Sequence, residues 1–163
     1  MQQFKSVKDT LNNLQIEYQI VDHPIAHSTE EADEYIKDIP GVRTKTLFIT
    51  DKKKKNFLLL IMDDKKRLDF HQLQTLTGIK RLKMASPELL KQKLGLEPGI
   101  VSIFGLIDNP FQDIKVYFDS NIINEDKMTF HPNTNDKTIF LKTKDVLKFV
   151  EKMGYEYKLL KLE

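Results

Sequence analysis

The sequence contains no cysteine. That absence excludes a disulfide scaffold, a thiolate zinc site and a cysteine nucleophile. It has no long hydrophobic run either. The densest is Phe57-Leu58-Leu59-Leu60-Ile61-Met62, far short of the roughly 20 residues that cross a bilayer. The start, Met1-Gln2-Gln3-Phe4-Lys5, leads into a polar amphipathic segment without a signal-peptide core, so a soluble, cytoplasmic protein with no membrane partner is expected. Charge of one sign is not in excess. Lys plus Arg is 26, Asp plus Glu is 24, and the net charge is +2. A histone-like or tail-driven nucleic-acid binder is therefore disfavoured, while a local basic face stays open. What is present is ordinary core material: 163 residues, 40% hydrophobic and 31% charged. That supports one domain over residues 1–163.

Hydrophobic spacing and turn chemistry divide the chain. Phe4, Val7, Leu11 and Leu14 fall at helical intervals. Glu17 to Val21 reads as a short strand, interrupted by His23-Pro24. Ser28-Thr29-Glu30-Glu31 is a capping box and opens a helix to about Tyr35. After the turn Pro40-Gly41, Thr46 to Thr50 and Phe57 to Met62 form two β-rich runs joined by a lysine-rich tip, which predicts a hairpin. Asp69 to Thr77 is a short helix closed by Gly78. Ser86-Pro87-Glu88 starts another, ended by Gly95. Residues 95 to 111 read as a loop. Strands follow at Ile114 to Phe118, Met128 to His131 and Lys137 to Leu141. A helix is expected from Lys144 to Met153, and a last strand within Tyr155 to Leu162. The fold class is mixed α/β: a mixed, largely antiparallel sheet or partial barrel surrounded by short helices.

The chemistry-bearing residues are few. The histidines are His23, His27, His71 and His131. His23 and His27 lie four apart, but His23-Pro24 prevents a helix there, so no metal site and no cofactor are expected. Neither a Gly-x-Ser-x-Gly elbow nor a Walker loop occurs. The basic clusters are Lys52 to Lys55, Lys65-Lys66-Arg67, and Lys80-Arg81 with Lys83. They are solvated loops or phosphate contacts; lysines reach phosphates as point charges and do not read bases. Lys45 precedes the apolar run Leu47-Phe48-Ile49 at a strand entrance, where it faces solvent or the mouth of a pocket. His131, between Phe130 and Pro132, has the same two readings, structural or functional.

Four stretches nevertheless converge. Pro40-Gly41-Val42-Arg43-Thr44-Lys45-Thr46-Leu47-Phe48 resembles the "PG-x-x-TK-N/T-LF" signature of the YbaK/ProX family of aminoacyl-tRNA editing domains. His23-Pro24 followed by Ser28-x-x-Glu31-Ala32 resembles that family's early "HPP" and "T-x-EEA" segment. Leu94 to Leu106 is similar to its "LG-x-x-PGSVSPFGL" loop. Phe130-His131-Pro132-Asn133-Thr134-Asn135 with Thr138 is similar to its "FHP-x-x-N…T" segment. The four occur in family order over nearly the whole chain.

The resemblance implies a trans-acting hydrolase that deacylates mischarged aminoacyl-tRNA, closest to the free-standing ProX type acting on Ala-tRNA(Pro). Cysteinyl-, seryl- or threonyl-tRNA, or a non-catalytic tRNA- or synthetase-binding module, remain as alternatives. Its partners are the acceptor end of tRNA(Pro) and prolyl-tRNA synthetase, not DNA. It assigns Lys45 and His131 to catalysis. Thr46, Ser28, Gly99, Ile100, Val101, Ser102 and Gly105 are assigned to substrate binding, and Lys52, Lys53, Lys54 and Lys55 to tRNA. Backbone N–H groups from Gly99 to Gly105 would cradle the aminoacyl group. Ile100, Val101 and Ile103 would wall the pocket. The family is understood to use the vicinal ribose hydroxyl of its substrate in place of a protein nucleophile. Ile100 stands where the family has Ser, and Ile103 where it has Pro, which would remove a rigid kink beside the pocket.

Overall fold

A computed structural model describes residues 2–163, leaving only Met1 outside. In chain order the elements are α1 (Gln2–Asn13), β1 (Gln19–Asp22), α2 (Thr29–Tyr35), β2 (Val42–Asp51), β3 (Phe57–Asp63), α3 (Phe70–Thr77), β4 (Leu82–Met84), α4 (Pro87–Leu94), β5 (Ile114–Asp119), β6 (Lys127–Phe130), β7 (Lys137–Lys142), α5 (Thr143–Lys152) and β8 (Tyr157–Leu160). Two 3₁₀ segments, Ile103–Asp108 and Ile122–Asn124, lie in the connections.

The strands join in the order β1-β7-β6-β2-β3-β5-β8, with β4 also on β2. The predicted hairpin is the antiparallel pair β2–β3, running from Thr44 opposite Asp63 to Thr50 opposite Phe57. β1–β7, β6–β7 and β2–β4 are also antiparallel, whereas β2–β6, β3–β5 and β5–β8 are parallel. The class is mixed α/β, as the residue pattern implies. Parallel pairing is more prominent than hairpin signals alone suggest, because it requires distant segments to meet.

Alternation along β2 and β3 divides the interior in two. Phe48, Phe57, Leu59 and Ile61 enter the larger core with Leu94, Ile103, Phe104 and Phe149. Ile49, Leu58, Leu60 and Met62 enter a smaller core with Leu73 of α3 and Leu162. β3 is buried on both faces, which explains why Phe57 to Met62 is continuously apolar rather than alternating.

Local chemistry sets the element ends. Ser86 caps α4 by accepting from the Leu89 N–H, Pro87 occupies the first turn, and Gly95 closes the helix in the left-handed conformation. Ser28 accepts from the Glu31 N–H, but Glu31 reaches back to the amide of His27 rather than to that of Ser28. β2 begins four residues before the β-rich run predicts. The Arg43 guanidinium holds it there, donating to the carbonyls of Ile36, Ile39 and Gly41 at 2.6, 2.7 and 2.8 Å.

Candidate active site at the open edge of β2

One edge of β2 is hydrogen-bonded to β3 throughout its central run. The other is paired only at its ends, to β6 at Val42 and Arg43 and to β4 from Ile49 to Asp51. The Asp64 N–H donates to the Arg43 carbonyl on the β3 side. On the opposite side, the Thr44 N–H donates to Thr129 Oγ1 and the Phe48 carbonyl accepts from the Ala85 N–H. In an antiparallel ladder each residue turns both backbone groups to the same side, and neighbours alternate. Thr46, midway between Thr44 and Phe48, therefore turns its N–H and C=O into the gap. The gap spans about 13 Å of strand at roughly 3.4 Å per residue.

A cavity of about 580 Å³ occupies this gap. Because the edge is open, the cavity reaches both faces of the strand: Thr44, Thr46 and Phe48 on one, Lys45 and Leu47 on the other. Ser28 and Ala26 close it before α2, Met84 and Ala85 at the end of β4, and Pro98, Gly99 and Val101 in the loop after α4. Phe130, His131 and Asn135 complete it from the β6–β7 side. All four stretches singled out in the sequence thus contribute walls to one cavity.

Among the described residues, the buried Nδ1 of His131 has no hydrogen-bond partner. Burial pushes its pKa below the ordinary histidine value, and a backbone hydrogen bond with Lys137 opposes the shift only in part. The ring is neutral at physiological pH, so it offers one donor and one acceptor nitrogen. Lys45 behaves differently. Its Nζ donates to the Lys66 carbonyl in the β3–α3 loop. That carbonyl is held in turn: Lys66 Nζ bridges Asp119 and the Leu162 carbonyl, each at 3.0 Å, and the Asp119 side chain is fully buried. The Lys45 ammonium therefore sits at the cavity rim, on the Leu47 side of the strand and across it from Thr46.

Residues 23–149 match the aminoacyl-tRNA editing domain. The chain belongs to the aminoacyl-tRNA editing domain family. The prolyl-tRNA editing protein ProX of Acetoanaerobium sticklandii is 30% identical over 152 residues, 93% of each chain. The mouse prolyl-tRNA synthetase associated domain-containing protein 1 is 30% identical over 154 residues, 92% of this chain and 90% of that one. A solved structure of a candidate trans-editing enzyme for prolyl tRNA synthetase superposes with a TM-score of 0.75. The superposition covers 99% of this chain and 98% of that one at 19% identity, a likeness of fold.

In this editing domain the loop after α4 departs from its sequence reading. Gly99 and Val101 line the cavity, and Gly99 has φ +91, a conformation that glycine adopts without strain. The other assigned loop residues do not line it. Ile100 packs against the larger core, and its N–H donates to the Glu97 carbonyl. Ile103 is fully buried in that core and begins a 3₁₀ turn, so it is not part of the cavity wall. The Ser102 hydroxyl donates to Asn133 Oδ1 at 2.6 Å and accepts from the Phe104 N–H, tying the loop to the segment after β6. The Gly105 N–H is spent on the Ser102 carbonyl. A Cβ there would lie 3.0 Å from Leu94 and 3.1 Å from Leu96, so Gly105 packs closely against the end of α4 and the residues after it. A backbone cradle running from Gly99 to Gly105 is thus reduced, because the amides of Ile100, Phe104 and Gly105 are already bonded.

Lys52 to Lys55 are exposed on the β2–β3 tip and do not line the cavity. The sequence reading missed Asn135, although it lies in a quoted stretch, and missed Met84 and Ala85 entirely. Their strand, β4, is only three residues long and carries no alternation to detect.

Proposed function

We propose that the protein is a trans-acting editing hydrolase that releases alanine from mischarged Ala-tRNA(Pro). One observation carries the reading: segments similar to four separate editing-family motifs meet at a single cavity on an unpaired strand edge. The names of the relatives favour prolyl-tRNA as the carrier.

An aminoacyl ester has a carbonyl already activated for attack, so the site needs an oriented water and donors for the developing oxyanion. The Thr46 edge suits both ends of an aminoacyl group. Its C=O accepts from the α-ammonium and its N–H donates to the ester carbonyl, as one rung of strand addition. Water adds to the carbonyl carbon, and the bond to the ribose oxygen breaks. The leaving oxygen takes up a proton, relayed from the attacking water by the vicinal ribose hydroxyl. Neutral His131 positions that terminal ribose through a ring nitrogen. Lys45, at the rim and across the strand from Thr46, is better disposed to hold the terminal phosphate than the ester carbonyl.

Selection rests on size. A synthetase pocket for proline rejects the smaller alanine weakly, because lost methylene contacts are worth only about 1–3 kcal/mol. In this cavity Val101, Phe48, Leu90 and Phe130 supply apolar walls that limit the side chain admitted. Single-turnover incubation with Ala-, Pro-, Ser-, Cys- and Thr-tRNA tests the reading. Fast release of alanine with proline retained is expected; preferential release of another amino acid overturns the alanine assignment, and stable esters throughout overturn hydrolysis.

A further inference from the structure

Two basic clusters that are 25 or more residues apart in the sequence become one surface in the fold. The Lys52 N–H donates to the Arg81 carbonyl at 3.0 Å, and Thr50 and Asp51 of β2 pair with Lys83 and Leu82 of β4. Lys80, Arg81 and Lys83 therefore lie beside the Lys52–Lys55 tip, and all seven side chains are exposed. Among the described residues none of them is in an ion pair. Lys115, also exposed, reaches the same tip by donating to Asn56 Oδ1 at 3.0 Å. The tip is itself ordered. Asp51 Oδ1 accepts from the Lys55 and Asn56 amides, at 2.8 and 3.2 Å.

This surface is continuous with the cavity. Met84 and Phe48 line the cavity, and the charges begin one residue away, at Lys83. They end at the tip, just beyond Asp51, where β2 finishes about 10 Å from Phe48 at roughly 3.4 Å per residue. The opposite end of β2 has the reverse sign. A cleft there is bordered by Glu30, Asp33, Glu34, Asp63, Asp64 and Glu125. Three cations border it as well: Arg43 is occupied by three backbone carbonyls, Lys37 pairs with Glu34, and Lys65 is exposed beside Asp33 and Asp64, so the carboxylates still outnumber them. The two ends of the strand thus set up a field that draws a polyanion one way and repels it the other.

We propose that the joined surface of the β2–β3 tip and β4 is the docking track for the acceptor stem. The duplex then leaves the cavity past Met84 toward Lys53, Lys54, Lys80 and Arg81 and away from the acidic cleft. The proposal rests on the editing reading and adds the direction of approach and the residues that fix it. A duplex carries about one phosphate per 1.7 Å of its axis, so even the strand-long part of this track presents several phosphates to the cations. Contacts of this kind give affinity without base reading.

The test compares two variants of equal net charge. One is Lys53→Gln/Lys54→Gln/Lys80→Gln/Arg81→Gln; the control is Lys142→Gln/Lys144→Gln/Lys152→Gln/Lys161→Gln, at exposed positions elsewhere. Binding of uncharged tRNA(Pro) transcript is followed by fluorescence anisotropy from 50 to 300 mM salt, and alanine release is followed from a 3′-alanyl CCA trinucleotide that has no stem. The first variant is expected to bind the transcript at least tenfold more weakly and to lose about two or more units of salt slope. Its rate on the trinucleotide stays near that of the unmodified protein, and the control binds normally. An unchanged slope, an equal loss in the control, or a parallel loss on the trinucleotide each overturns the track. So does salt-independent binding by the unmodified protein. If the unmodified protein hydrolyses no ester, the editing reading fails, while the binding comparison still decides the track.

Discussion

The two edges of β2 make opposite use of the same ten residues. Toward β3 the edge is paired over seven consecutive positions, and its partner strand is buried on both faces. Toward the cavity the pairing stops after Arg43 and resumes at Ile49. An unpaired edge is normally a liability, because its free N–H and C=O groups invite another chain. Here the gap is walled by the segment before α2, the β4–α4 turn, the loop after α4 and the β6–β7 connection, so that only something small enters. The paired edge holds the fold, and the interrupted edge supplies polar backbone at a fixed place. Damage to the first should appear as lost stability, and damage to the second as lost turnover.

Asp119→Ala should give the largest effect, on the stability side. It removes the carboxylate partner of the Lys66 ammonium, leaving it the Leu162 carbonyl, and removes acceptors for the amides of Asp63 and Asn121. Removing one partner of a buried pair costs about 3–5 kcal/mol, to be read by urea denaturation. It also releases the loop whose Lys66 carbonyl holds Lys45. An unchanged midpoint would show that the pair does not support this end of the sheet.

Lys45→Ala comes next, with the opposite signature. The kcat/KM for Ala-tRNA(Pro) should fall by roughly 10²-fold, the scale of one charge-assisted hydrogen bond to phosphate worth about 1.5–3 kcal/mol, with circular dichroism and the melting midpoint nearly unchanged. Lys45→Arg should recover little, since a planar fork replaces a compact ammonium. A well-folded Lys45→Ala with normal single-turnover rates would remove Lys45 from the chemistry.

Much of this contrast was legible in the residues. The capping signals around Ser28, Ser86 and Gly95, and the run Phe57 to Met62, are local, and local rules located α2, α4 and β3. The gap in pairing was not legible. It depends on where β6 and β4 end against β2, and those strands come from residues 82–84 and 127–130, far off in the chain. The direction of Lys45 was hidden for a related reason. Strand parity puts it across from Thr46, but what it then meets, the Lys66 carbonyl, is set by the buried Asp119. Ile103 misled because a hydrophobic residue in a glycine-bearing loop reads as pocket wall, whereas the 3₁₀ turn capped by Ser102 directs it into the core.

His131→Ala tests the cavity side with a smaller effect, about tenfold on deacylation, the scale of one hydrogen bond to substrate. Stability at pH 8 should change little. The pH profile adds a second readout. The folded-state pKa lies below the ordinary value of 6.5, so below pH 6.5 the unfolded chain binds the proton more readily than the fold does. The unmodified protein should lose stability as pH falls through that range, and His131→Ala should lose less. Equal losses in both would mean that His131 stays hydrated in the fold.

The smallest effect belongs to the acidic end of β2, where α2 meets the β3–α3 loop. Burial and a carboxyl–carboxyl hydrogen bond with Asp64 push the Asp33 pKa up to about 8, with Arg43 and Lys65 opposing the shift. The fold thus keeps a proton that the unfolded chain releases near pH 4, and it loses stability as pH rises from about 4 to about 8. Asp33 is partly exposed, so solvent screens part of the interaction. Asp33→Asn keeps a donor toward Asp64 without the titrating proton. Its melting temperature should equal that of the unmodified protein near pH 4 and exceed it at pH 8, while transcript binding at pH 7 stays unchanged, because Asp33 is already protonated there and the substitution removes no charge. A melting difference independent of pH would show that Asp33 and Asp64 do not share a proton, and that α2 is held to the sheet by the Arg43 contacts alone.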